Sequence, residues 1–183
     1  MFALTLSRRD FREYDQQIGF YTKETGKIET IARGVKKIIS KNSSALEPFA
    51  LLEIELAPGR ELTYVTRAQV IKIFHNIRNN FEKNLLGCYC LNLVNEVVQP
   101  GEKDEKIFDL LLSFLNNLDF AEEVNMKIAY DFILRFMSML GFAPVTAKVA
   151  DSWVIPYAEY HLNRKIADVV NLREKLCSFS QIR

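Results

Sequence analysis

The residues of this chain best suited to chemistry are four cations that follow a predicted β-hairpin. Arg33, Lys36, Lys37 and Lys41 fall within residues 33–41, and no acid lies among them. A short cation-rich segment beside a hairpin suits the phosphate backbone of a nucleic acid. The same pattern also fits a solvated loop that its lysines keep soluble. Composition alone leaves both interpretations open.

The overall charge does not decide between them. The formal net charge of the 183 residues is +1, so no global field draws the chain to DNA or to an anionic membrane. The first 45 residues carry nine Lys and Arg against five Asp and Glu, which places the basic surface in the N-terminal part. The N-terminal apolar run is too short for a signal peptide, and no stretch approaches the length of a membrane span. We therefore expect a cytoplasmic protein with no membrane partner.

No constellation of residues points to catalysis, a cofactor or a metal. Motifs for phosphate loops, dinucleotide binding and zinc hydrolysis are missing from the sequence. His75 and His161 fall in different predicted domains, and each is expected at the surface or half-buried. Cys88, Cys90 and Cys177 make neither a disulfide framework nor a zinc set. Cys88 and Cys90 point about 200° apart on a helix and could not share a metal, and we expect buried structural thiols in a reducing cytosol.

Alternating apolar residues predict five short strands within the first 75 residues. Phe2, Leu4 and Leu6 mark a half-buried first strand, and charged residues 8–15 are expected to form a connection or a bulged edge. A hairpin follows at residues 16–33, with Gly26 in its turn. The remaining strands cover residues 52–56 and 62–66, the last one extending to residue 74. Five short strands favour a small barrel, and both oligonucleotide-binding (OB) and SH3-like barrels have that strand count.

After residue 76 the apolar period changes from two to 3.6, which predicts helices. They are expected at residues 81–98, 104–118, 125–140, 152–163 and 168–179, with Asp104 as an N-cap and Trp153 packed at core spacing. The predicted fold class is therefore α+β. A five-stranded barrel at residues 1–76 precedes an α-helical bundle at residues 77–183.

These residues together resemble the RecO family of bacterial recombination mediators. The N-terminal motifs are EYD at 13–15, YTKETGK at 21–27, IARGVKK at 31–37, the pair at 40–41, LEPF at 46–49 and LTYVTRAQVI at 62–71. The helical motifs are YCLNLVNEVV at 89–98, IFDLLLSFL at 107–115, FILRFMSMLGFAP at 132–144 and YAEYHLNRKI at 157–166. The resemblance covers most of the chain and implies an OB barrel joined to a helical domain.

Two positions depart from the family pattern. In many members a four-cysteine zinc module follows the segment that matches GFAP, whereas residues 145–151 contain no cysteine. The chain thus resembles a shortened, zinc-free version of the family, and no metal is carried over. Ile133 stands where the family commonly has a glutamate, so a contact made by that acid is not carried over either.

The resemblance also implies partners. The family binds single- and double-stranded DNA, anneals complementary strands, contacts the C-terminal tail of single-stranded DNA-binding protein (SSB), and works with RecR to load RecA. These partners are expected for this chain, RecA indirectly, and no cofactor is expected.

An OB groove binds strands through cations that follow the phosphates and through aromatic platforms that stack bases. The first-choice cations for DNA are Arg33, Lys36, Lys37 and Lys41, and the second-choice cations are Arg8, Arg9, Lys23 and Lys27. Tyr21 either stacks a base from the outward face of its strand or packs on a neighbour. The SSB tail calls for an apolar pocket with a cation at its edge, and the candidates there are Arg135, Arg78 and Lys83.

Two functional hypotheses remain. The first is a DNA-binding recombination mediator, which predicts salt-dependent strand binding at residues 33–41. The second is an adaptor of the same fold that acts through proteins and binds DNA weakly or not at all. An enzyme has no set of residues behind it.

Overall fold

The structure, a computed structural model, describes residues 1–37, 45–142 and 151–163. Five strands close into a barrel in the order β1-β2-β3-β5-β4, where β3 and β5 run parallel and the other neighbours antiparallel. A closed five-stranded barrel followed by helices confirms the predicted α+β class and fits an OB barrel. The strands are β1 (Phe2–Asp10), β2 (Gln16–Thr22), β3 (Gly26–Ala32), β4 (Ala50–Pro58) and β5 (Thr63–Ile73).

Strand β1 is longer than the sequence pattern predicts. Of the two possibilities for the charged segment, a connection or a bulged edge, residues 8–10 continue a bulged strand, because Arg8 pairs with Ile18 and Asp10 pairs with Gln16. A β-bulge between Thr5 and Ser7 shifts the register there and lets a polar segment continue the ladder. The connection between β1 and β2 is therefore only residues 11–15.

Helices follow the barrel, as predicted. They are α1 (His75–Asn79), α2 (Phe81–Val97), α3 (Glu105–Phe120), α4 (Met126–Met139) and α5 (Asp151–Leu162). The short α1 is one that the sequence pattern did not predict. Asp104 is the N-cap of α3, and its carboxylate accepts the backbone N–H of Lys106 at 2.8 Å. The predicted helix at residues 168–179 lies outside the described residues. None of the helices that are described has the length and apolar character needed to cross a membrane.

Two apolar clusters fill the part of the molecule that the structure describes, one inside the barrel and one among the helices. Ile18, Phe20 and Leu52 belong to the barrel interior. Leu4 and Leu6 point out of the barrel into the helical cluster, so β1 is buried on both faces rather than half-buried. The helical cluster thus includes barrel residues, and the domain division at 76/77 stays a prediction.

Two expectations about packing are wrong. Trp153 is 66% exposed, because it lies on the outer side of α5, where Val154 and Ala158 take the buried positions. Cys90 is buried, but Cys88 is exposed, since residues two positions apart on a helix face nearly opposite sides.

The β2–β3 turn packs on the end of α2 and the start of α3. Gly26 has a φ of +74°, and a Cβ there would lie 2.0 Å from the carbonyl oxygen of Glu102, so only glycine fits. The backbone N–H of Gly101 donates to the carbonyl of Lys27 at 2.8 Å. The Lys27 ammonium group donates to the carbonyls of Asn95 and, at 3.1 Å, Val98. Lys27 therefore caps the C-terminus of α2 from the barrel.

Substitution of Lys27 by Met should lower the free energy of unfolding by about 2 kcal/mol, since two buried carbonyls lose their donor and the helix end loses a favourable charge. Urea denaturation followed by circular dichroism measures this change. Lys106→Met, the same replacement at an exposed position of α3, is the matched control and should stay within about 0.5 kcal/mol of the parent. Equal stabilities for the two variants would contradict the capping role of Lys27.

Candidate nucleic-acid interface

Three segments meet at one end of the barrel. Residues 11–15 join β1 to β2, and residues 33–37 leave β3 beside them, because Gln16 pairs with Ala32. The start of β5 lies next to the end of β3, since Thr30 pairs with Thr63. We call residues 11–15, 33–37 and 59–64 the rim. In OB barrels the loops at this end, with the outer face of strands 2 and 3, bind oligonucleotides.

Hydrogen bonds hold the rim segments together. The backbone N–H of Gly34 donates to the Asp15 carboxylate at 2.8 Å, and the backbone N–H of Lys36 donates to the carbonyl of Tyr14 at 3.1 Å. The Lys36 ammonium group pairs with Asp10 at 3.0 Å. Hydrogen bonds from Gln16 and Lys36 lower the pKa of the Asp10 carboxyl. Lys36 thus has a fixed place even though its side chain faces solvent.

Three cations of the rim lie beside aromatic rings of the rim. The Arg33 guanidinium lies 3.9 Å from the centre of the Tyr64 ring, and the Lys37 ammonium lies 5.5 Å from that of Tyr14. Arg12 lies 5.0 Å from the ring of Phe11. Cation–π contacts at exposed sites are worth about 0.5–1 kcal/mol each, enough to bias the orientation of these side chains.

The turn between β4 and β5 supports Tyr64. The backbone N–H of Gly59 donates to the carbonyl of Leu62 at 2.8 Å, and a Cβ on Gly59 would lie 2.4 Å from the Tyr64 ring. The glycine therefore lets the turn lie directly against the ring. Arg60, exposed in the same turn, adds a further cation to the rim.

Sequence reasoning found the cations at residues 33–37 but missed four other residues of the rim: Phe11, Arg12, Tyr14 and Tyr64. It treated residues 11–15 as a charged connection and Tyr64 as an ordinary strand residue. The available signal was two aromatic residues inside an otherwise charged segment between strands. Exposed aromatic residues beside arginines in a short loop are typical of binding surfaces.

The structure places the predicted DNA-binding cations in different surroundings. Arg33, Lys36 and Lys37 are exposed on the rim, and Arg9 is exposed close by on β1. Arg8 is less accessible, because it bonds to Gln16 and forms an ion pair with Glu47. Lys23 lies at the opposite end of the barrel, 3.7 Å from Asp109. Lys41 lies outside the described residues.

Two of the predicted DNA-binding residues are buried against the helices, and Tyr21 takes the second of its two expected roles, packing on its neighbours. Lys27 is only 8% exposed, because it caps α2. Tyr21 does point out of the barrel, but the helices cover it and it is 0% exposed. Its hydroxyl donates to the carbonyl of Asp104 at 3.1 Å, and burial raises its pKa. Neither side chain can reach a nucleic acid in this arrangement.

Two of the three cations predicted for the SSB tail are also structural. Lys83 is 6% exposed and donates to the carbonyl of Asp119 at 2.9 Å. Arg78 donates to the carbonyls of Pro48 at 2.9 Å and Glu47 at 3.1 Å. These bonds hold the segment before Phe49, a residue with an unfavourable φ of 62°. Both side chains therefore join elements of the fold instead of facing a partner.

Arg135 remains exposed on α4, where it lines a shallow groove between α3 and α4. The groove walls include Leu110, Phe114, Ile128 and Phe132. Asp131, one turn before Arg135, lies on the same wall. Arg78 also lines a pocket, with Pro48 and Phe49, but its guanidinium already donates to two backbone carbonyls, so Arg135 is the better candidate for an acidic, apolar-ended peptide.

Substitution of Arg78 by Ala should lower the free energy of unfolding by about 1–2 kcal/mol, because two carbonyls lose a charged donor next to a strained residue. Arg135→Ala is the matched control and should leave stability within about 0.5 kcal/mol of the parent. Thermal or urea denaturation of both variants measures the difference. An Arg78→Ala protein as stable as the parent would contradict this structural role, and Arg78 would again be a candidate for partner binding.

Comparison with known proteins agrees with this architecture. The chain matches the description "Recombination protein O N terminal" over residues 2–74 and "Recombination protein O C terminal" over residues 78–152. It is 32% identical to a protein named DNA repair protein RecO from Pelotomaculum thermopropionicum, across 78% of this chain and 55% of that protein. The protein of the same name from Geobacter metallireducens is 29% identical across 76% and 57%, and that from Dehalococcoides mccartyi 30% identical across 81% and 58%.

The chain spans about 55–58% of the length of these relatives. The two matches come from one family, follow each other in the same order and together cover the barrel and most of the helices. The chain belongs to the RecO family.

Proposed function

We propose that this chain is a DNA-binding recombination mediator in RecF-pathway DNA repair. It binds single- and double-stranded DNA, anneals complementary strands and helps to load RecA onto SSB-coated DNA in the cytoplasm, without a metal. Membership of the RecO family and relatives named DNA repair protein support this proposal. The observation that carries it is the rim, where three cation–ring pairs lie at the end of an OB barrel.

The helices determine which part of the barrel is accessible to DNA. The outer face of β2 and β3 is an oligonucleotide surface in OB barrels, but here Tyr21 and Lys27 on that face are buried. Arg33, Lys36 and Lys37 lie at the far end of the hairpin and stay exposed. We therefore place the DNA on the rim.

Binding at the rim is mainly electrostatic. Cations there neutralise backbone phosphates and release counterions, so affinity depends on salt concentration and little on base sequence. Contacts to the backbone leave the hydrogen-bonding edges of the bases free. Two strands held in this way lose part of their mutual repulsion and can still pair, which is what annealing requires.

Charge reversal at Arg33, Lys36 and Lys37 tests this site. The parent protein should bind labelled single-stranded DNA with a log–log salt slope of roughly −2 to −4, at about 0.7 per phosphate contact. The triple Glu variant should lose binding at low salt, because three attractive contacts become repulsive. Fluorescence anisotropy across a salt series measures both quantities.

The matched control reverses Lys103, Lys106 and Lys127, which are exposed on the helical part and give the same change in net charge. If DNA binding responds to the local surface, this control keeps most of the affinity. Equal losses in the two variants would mean that net charge, and not the rim, determines binding. Circular dichroism of both variants checks that the fold is intact.

We further propose that the groove between α3 and α4 binds the acidic, apolar-ended tail of SSB. Apolar walls would take the terminal side chains, and Arg135 would pair with a carboxylate. RecR, and through it RecA, are the further partners that family membership suggests.

Arg135→Glu should weaken binding of a synthetic SSB-tail peptide at least about tenfold, because a charged pair becomes a repulsion. Asp131→Asn should strengthen binding, since it removes an acid from the same wall. Lys127→Glu, at an exposed position of the same helix, serves as the control and should change affinity less than about twofold. Calorimetric titration gives the affinities, and an unchanged affinity for Arg135→Glu would exclude this groove.

The adaptor of the same fold is the second candidate. The net charge of +1 and the covered strand face of the barrel both favour weak DNA binding. An adaptor would bind the SSB-tail peptide normally and show no anisotropy change with DNA at low salt. The two titrations together therefore separate the mediator from the adaptor.

A further inference from the structure

We propose that Phe11 and Tyr14 are base-stacking residues that make the rim select unpaired strands over duplex DNA. This inference rests on the proposed DNA binding at the rim and deepens it, because the cations alone do not distinguish the two forms. Backbone phosphates are present in both, whereas the faces of the bases are free only in an unpaired strand.

The two rings are large apolar groups left open to solvent. Phe11 is 41% exposed and Tyr14 is 46% exposed, although each lies within a short loop between two paired strands. A hydrogen bond with Glu13 raises the pKa of the Tyr14 hydroxyl. Exposed rings of this size in a loop that faces cations are suited to bases.

The loop holds the rings in place before any ligand arrives. The backbone N–H groups of Phe11 and Arg12 donate to the carbonyl of Asp15 at 3.1 and 3.3 Å. The Asp15 carboxylate accepts the N–H of Gly34 at 2.8 Å, which ties the loop to the segment after β3. Because these hydrogen bonds already restrict the loop, it loses little conformational freedom when a DNA strand binds.

Each ring already has a cation beside it. Arg12 lies 5.0 Å from the centre of the Phe11 ring, and the Lys37 ammonium lies 5.5 Å from that of Tyr14. A base on the open face of the ring then has a positive charge within reach of its own phosphate. An arginine guanidinium can also continue the stack, because bases stack on its plane as they do on rings. Stacking and phosphate neutralisation thus occur at the same place.

Stacking is compatible with annealing. A base held by its face keeps its pairing edge open, so a complementary strand can form hydrogen bonds before the first strand leaves the rim. Once the duplex has formed, its bases stack on each other and no longer fit the rings. The rim would therefore bind the substrate of annealing more tightly than its product.

The test compares two oligonucleotides of about 15 nucleotides that carry the same phosphates, one of thymidine and one of abasic sites. Anisotropy titrations use the intact chain and its Phe11→Ala/Tyr14→Ala variant. The double variant should bind the thymidine strand at least about tenfold more weakly than the parent does. It should bind the abasic strand within about twofold of the parent, with an unchanged salt slope.

Phe2→Ala/Phe120→Ala is the matched control. These phenylalanines are 44% and 74% exposed and lie away from the rim, on the first residue of β1 and the last residue of α3. This variant should bind the thymidine strand as the parent does. A duplex of the same length should bind the parent more weakly than the thymidine strand, and that difference should shrink in the Phe11/Tyr14 variant.

Two results would overturn the inference, and they differ in what they leave standing. If the parent binds thymidine and abasic strands equally and the Phe11/Tyr14 variant changes neither, stacking is wrong while DNA binding at the rim stands. If the parent binds neither strand at low salt, the proposed function and the inference fail together.

Discussion

The packing of the β2–β3 hairpin against the end of α2 and the start of α3 determines how the rest of the molecule is arranged. Three side-chain features make this contact: the buried ammonium of Lys27 on the α2 carbonyls, the Tyr21 hydroxyl on Asp104, and the missing Cβ of Gly26. A buried lysine is tolerated there because helix-end carbonyls carry partial negative charge and lack partners within the helix. Since Asp104 is also the N-cap of α3, the hairpin fixes where that helix begins.

This packing has a functional consequence at the other end of the same hairpin. It removes part of the strand face that OB barrels use for oligonucleotides and leaves the rim exposed. The cations of the rim are therefore carried by a hairpin whose opposite end is fixed to the helices. A rigid support of this kind keeps the rim segments in a constant relation to the helical part.

A series of polar contacts also joins the rim to the helices. Lys36 pairs with Asp10, and Asp10 accepts a hydrogen bond from Gln16 at 2.9 Å. Arg8 bonds to Gln16 and to Glu47, and Arg78 of α1 donates to the Glu47 carbonyl. Several residues that sequence reasoning assigned to ligands thus belong to this internal network. Long cationic side chains commonly serve such roles, because one guanidinium can satisfy several acceptors at once.

The sequence by itself determined the order of the strands and of the longer helices α2 to α5, but not the short helix α1. Alternation in Leu52 and Ile54 predicted strand β4, the 3.6-residue period predicted α2 to α5, and Asp104 was recognised as a cap, because these signals are local to the chain. The family motifs identified the barrel as an OB barrel. The positions of Arg33, Lys36 and Lys37 on an exposed surface also followed from their local charge.

Only the tertiary structure decided which cations and rings face solvent. Lys27 and Arg33 look alike in the sequence, six residues apart on one hairpin, yet one caps a buried helix end and the other lies over Tyr64. Tyr21 and Tyr14 differ in the same way, since the helices cover one and leave the other open. The outer face of a strand is buried by helices that lie far away in the sequence. Asp104, for example, contacts Tyr21 although more than 70 residues separate them, and no local pattern encodes that contact.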